Sequence, residues 1–76
     1  MAEFDRIRWR CRRGLLELDL LLQGFLERRF DALDAEARQR FIELLDQPDN
    51  DLLDLAMGRR DAAPRYREVV EMLRAA

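Results

Sequence analysis

Seventy-six residues with a net charge of −2, one cysteine and no histidine predict one small domain that no internal disulfide can staple and no ordinary zinc ligand set can hold. A single core of this size rarely supplies more than about 3–5 kcal/mol, so the fold is expected to be marginal. With no histidine, the commonest general base and every Ser/His or Cys/His nucleophile pair are missing, and the chain reads as a binding protein rather than an enzyme.

Gly14, Asp34, the Pro48-Asp49-Asn50-Asp51 cluster, Gly58 and Pro64 divide the chain into five segments of helical spacing, and none alternates as a strand would. In the first, Phe4, Ile7 and Cys11 form one apolar stripe, with Trp9 and several arginines off it. In the second, Leu15, Leu18, Leu22, Phe25 and Leu26 share a stripe that Leu16, Leu20 and Leu21 widen until little is polar, which predicts a central helix. Asp34 is placed to cap the third helix, with Glu36 at its positive end and Ala37, Phe41, Leu44 and Leu45 lining its inner face.

That helix should stop near Asp46, because Pro48 cannot extend it. Asp49 or Asn50 is the expected cap of a short fourth helix bearing Leu52, Leu53, Leu55 and Ala56, which Gly58 ends. After a polar loop over 58–63, Pro64 suits the first turn of a fifth helix carrying Tyr66, Val69, Val70 and Leu73. The prediction is an all-α fold, a single five-helix bundle over 1–76.

Charge is unevenly distributed: residues 1–13 carry +3, residues 14–57 carry −7 and residues 58–76 carry +2. A nucleic-acid binder needs a net basic footprint, and the acidic middle argues against one. No apolar run exceeds three residues, as in Leu20 to Leu22, far short of the roughly 18 that span a bilayer. The first residues lack the apolar core of a secretory signal, so a cytoplasmic monomer without membrane insertion is expected.

Arg13, Gly14 and Glu17 form the pattern R-G-x-x-E between the first two helices. A glycine there lets the backbone turn and lets another surface approach closely. Arg13 supplies a planar fork of donors and Glu17 a carboxylate, a pair able to orient a partner's polar groups. The competing structural reading makes Gly14 a helix C-cap and the two charges an exposed pair worth about 0–1 kcal/mol. Trp9 is either core filler or an interface anchor, and Cys11, on the apolar stripe, is expected to be buried.

The run R-I-x-W-x-C-R-R-G-x-x-E-L-D from Arg6 to Asp19 is similar to the signature of the SdhE (YgfY-like) succinate dehydrogenase assembly factors. The resemblance continues through Phe25 and Leu26, the F-I-x-L-L run at Phe41 to Leu45, Pro48-Asp49, and the pattern ending at Met57-Gly58. Asn50 and Leu52 depart from the family spacing after the proline, and the chain stops soon after the fifth helix. The resemblance implies a small helical helper that binds the flavoprotein subunit of succinate dehydrogenase, and in bacteria of fumarate reductase, and promotes covalent attachment of FAD. It implies a partner-binding face built from Arg8, Trp9, Arg13, Gly14, Glu17 and Asp19. No cofactor would be stably bound to this chain, the client's FAD being the ligand of the complex. Two other readings stay open, an antitoxin-like partner of a membrane-associated toxin and a generic helical adaptor.

Overall fold

The apolar stripes predicted along the chain converge on one interior. In the computed structural model, which describes residues 2–75, five helices form: α1 (Ala2–Arg10), α2 (Leu16–Arg28), α3 (Ala35–Leu44), α4 (Asp49–Ala56) and α5 (Arg67–Arg74). Single 3-10 turns at Phe30–Ala32 and Pro64–Tyr66 precede α3 and α5, and the described residues contain no strand. The fold is the all-α bundle read from the sequence; the outermost positions of the 1–76 span, Met1 and Ala76, lie outside the described residues.

Helix ends follow local chemistry. Asp34 has extended backbone and its Oδ1 accepts the Ala37 N–H at 2.8 Å, the capping bond expected of it. The α4 cap differs from expectation: Pro48, not Asp49 or Asn50, is the capping residue and makes no side-chain bond, while Asp49 and Asp51 lie in the first turn. The Asp49 carboxylate is drawn away to Arg13 at 3.0 Å. At the other end of α4, Gly58 adopts φ +76°; its N–H donates to Leu55 O at 3.3 Å and the Arg59 N–H to Asp54 O at 2.9 Å. This paired closure needs a left-handed residue, which is why a glycine ends the helix.

Phe25, Phe41, Leu18, Leu22, Leu44, Leu52, Leu73, Val69, Val70 and Cys11 are sealed from solvent. Four phenylalanines run through this core from α1 to α2. Phe4 meets Phe30 edge-on at 5.8 Å, Phe30 meets Phe41 at 6.0 Å, and Phe41 stacks on Phe25 at 4.8 Å. Such pairs each add about 0.5–1.5 kcal/mol beyond area burial, and here they fasten α1 and the 3-10 turn to α3.

The prediction for α2 needs one correction. Leu18, Leu22, Phe25 and Leu26 are buried, but Leu16 is 75% exposed and Leu20 63% exposed, so the helix is central on one side only. A domain this small has too few elements to cover a helix apolar on every side.

The candidate docking face

Gly14 stands between α1 and α2 with φ +80°, a left-handed conformation that costs an L side chain about 1–2 kcal/mol. A β-carbon built on it would meet nothing within 4 Å, so its outer face is open. It does not cap α1. That helix closes upstream, where the Cys11 N–H donates to Ile7 O at 3.1 Å and the Arg12 N–H to Trp9 O at 3.0 Å.

The two amides that follow are left without helical partners, and Asp19 supplies them from the start of α2. Its Oδ1 accepts the Arg13 N–H at 2.7 Å and its Oδ2 the Gly14 N–H at 3.2 Å. One carboxylate thus satisfies two successive backbone donors that the link between helices would otherwise leave open.

Arg13, expected to offer its fork to a partner, is turned inward instead. Its Nε donates to Arg10 O at 2.8 Å, Nη1 to Gln47 O at 2.9 Å and to the Asp49 carboxylate at 3.0 Å, and Nη2 to Leu45 O. The geometric reason is the end of α3. Leu45 caps that helix, and its unpaired carbonyls carry partial negative charge that a guanidinium relieves.

Glu17 is exposed in the first turn of α2, as are Arg8 and Trp9 on the last turn of α1. Trp9 is 71% exposed, with the Arg12 guanidinium 5.4 Å from its ring centre. Together with Asp5 and Arg8 these two line an open groove of about 340 Å³. Of the six residues expected at the site, Arg8, Trp9, Gly14 and Glu17 face solvent, whereas Arg13 and Asp19 are bonded within the chain. Cys11, just inside the link, has no exposed surface, and burial pushes its thiol up to about 12 against the lowering pull of Arg13 and Arg10.

The sequence reading missed Leu16 and Leu20. They lie one turn apart on the outer side of α2 and add exposed apolar surface to the face holding Gly14 and Glu17. A helix whose leucines occupy every side was the available signal. Among the described residues, no group of three or more His, Cys, Asp or Glu side chains could hold a metal ion. Nor is any helix among the described residues long and apolar enough to cross a membrane.

A bare backbone notch flanked by an exposed carboxylate, apolar side chains and an aromatic edge, on a bundle of short helices, makes this a small all-α domain with one candidate docking face. Residues 5–76 match the Sdh5 family, described as the flavinator of succinate dehydrogenase. The chain belongs to that family. It is 44% identical over 69 residues to the FAD assembly factor SdhE of Coxiella burnetii, an alignment covering 91% of this chain and 82% of the relative. It is 39% identical over 72 residues to the FAD assembly factor SdhE of Legionella pneumophila strain Paris, covering 95% and 91%. With that of Vibrio parahaemolyticus it shares 47% identity over 56 residues, 74% of this chain and just under two thirds, 65%, of the relative. No solved structure matches the chain.

Proposed function

We propose that this chain is an FAD assembly factor that binds the flavoprotein subunit of succinate dehydrogenase and promotes covalent flavin attachment there. The observation that carries the reading is the open Gly14 notch beside Glu17, within a chain whose relatives are named for FAD assembly. Those names favour assembly over the antitoxin-like and adaptor readings, and they describe a helper rather than a catalyst of its own turnover. The same reading extends to the flavoprotein of fumarate reductase, and to a monomer acting in the cytoplasm.

Attachment needs the flavin and its acceptor side chain held in reacting geometry, and orientation alone contributes about 7–11 kcal/mol when that geometry is near attack. A docking module supplies orientation without chemistry. Gly14 lets the client's backbone come close, Glu17 offers an acceptor, and Leu16, Leu20 and Trp9 offer apolar area. FAD remains the client's ligand. The groove beside Trp9 is open and largely lined by charged side chains, which suits a protein surface better than a cofactor cage. Because the helper must leave once attachment is complete, a modest and partly polar interface fits the task.

The test is co-expression with the flavoprotein subunit in cells lacking their own helper, with covalent flavin read as fluorescence of the denatured subunit on a gel. The chain is expected to raise that signal and Glu17→Ala to lower it. No rise with the unaltered chain would overturn the proposal, and the same assay with the fumarate reductase subunit tests the extension.

A further inference from the structure

Two residues of the motif stretch share a property that a docking contact does not require: their polar atoms are already spent. All three guanidinium nitrogens of Arg13 donate within the chain, to acceptors on α1, on the turn joining α3 to α4 and at Asp49, the first residue of α4. Its side chain is 13% exposed. Both carboxylate oxygens of Asp19 accept backbone N–H groups, those of Arg13 and Gly14. Arg13 is therefore gripped at its backbone by α2 and at its side chain by the turn over residues 45–49, and Gly14 is the next residue.

Resting on the docking reading above, we propose that Arg13 and Asp19 are positioning residues that never touch the client. They tie Gly14 to the α3–α4 turn and so fix the notch and Glu17 in the arrangement the client meets. Asp49, outside the motif, is the third member of this clasp. Glycine reaches positive and negative φ about equally well, so an unheld Gly14 would wander among several backbone states. Holding it in one before encounter removes that ordering cost from binding. The requirement for arginine follows from the acceptors. Two carbonyls on the α3–α4 turn, the carboxylate that opens α4 and a further carbonyl on α1 match a rigid fork, whereas a lysine ammonium presents a single point of charge.

The experiment measures binding to the flavin-free flavoprotein subunit by calorimetry across a salt series, alongside hydrogen exchange of the Gly14 amide in the free protein. Arg13→Lys and Asp19→Asn are each expected to weaken binding by about tenfold or more. Both should speed Gly14 exchange and leave the salt dependence of binding as in the unaltered chain. Asn supplies one acceptor where Asp19 supplies two, so the second variant breaks the clasp without altering the core. Glu17→Ala should weaken binding with Gly14 exchange unchanged, the pattern of a direct contact. Normal binding by Arg13→Lys alongside weak binding by Arg13→Gln would overturn the proposal, since charge alone would then matter. So would weakened binding by Arg13→Lys without faster Gly14 exchange. If Arg13→Lys does not fold, Asp19→Asn decides alone, and normal binding with a freed Gly14 amide overturns the proposal. Failure of the unaltered chain to bind the subunit overturns the docking reading itself, and this proposal with it. Binding by the unaltered chain and equally by the variants overturns only the positioning role.

Discussion

At Gly14 two demands meet that different substitutions can separate. The left-handed backbone penalises any β-carbon, and the empty space outside admits one sterically. Gly14→Ala is expected to cost about 1–2 kcal/mol in urea unfolding. Gly14→Asn should cost less, because asparagine tolerates this region, yet it should depress flavin attachment at least as much, since its longer side chain fills the notch. Cys11 gives a second expectation at this scale. Its thiol is held above its ordinary value of 9.0, at about 12, so the folded chain keeps a proton that the unfolded chain loses. Its contribution to stability is fully present below pH 9 and is lost as pH rises toward 12. Thermal unfolding across that range checks this, and iodoacetamide should label Cys11 only when the chain opens. Burial of Cys11 was legible because it depends on a local stripe. The inward turn of Arg13 was not, because three of its four acceptors lie 32 to 36 residues away and two of those three are backbone carbonyls, which have no signature in sequence.

Among the elements, α3 was the most legible and α2 the least. Asp34 and the α3 stripe sit within a few residues of each other, so capping and periodicity speak directly. Asp34→Ala should destabilise the fold by about 1 kcal/mol in thermal or urea unfolding. In α2 the leucines surround the axis, and only packing decides which are covered. Phe30 and Leu33 escaped the sequence reading for a related cause. They are buried, at 6% and 7% exposure, but belong to a 3-10 turn and the extended residue after it, where helical spacing does not apply. Gly24 also lies inside α2, and a β-carbon there would meet nothing within 4 Å. Gly24→Ala is accordingly expected to raise stability by about 0.5–1 kcal/mol, seen as a higher urea midpoint with unchanged slope.

The molecule as a whole closes its uneven charge upon itself. Arg10 and Arg13 from the basic start reach Asp46 and Asp49, and Arg59 and Arg60 beyond the acidic middle reach Asp54 and Asp51 at 3.4 and 3.1 Å. The blocks were visible in the sequence; their pairing was not, since it depends on how the helices fold back. Near α5, Tyr66 donates its O–H to Glu43 Oε1 at 2.9 Å, and Arg65 and Arg40 stand at 3.0 and 3.2 Å from the same carboxylate. The Tyr66 bond, with help from Gln39 and the two arginines, holds the Glu43 carboxyl below its ordinary 4.5. A lowered carboxyl stabilises the fold above that value and loses its contribution as pH falls below it. Tyr66→Phe should flatten this acid limb of the stability profile, measured by thermal unfolding between neutral and acid pH. A different consequence follows from the sealed Cys11. Sulfur oxidation requires thiolate and access, and this fold grants neither, so its single thiol stays reduced under conditions that would oxidise an exposed one.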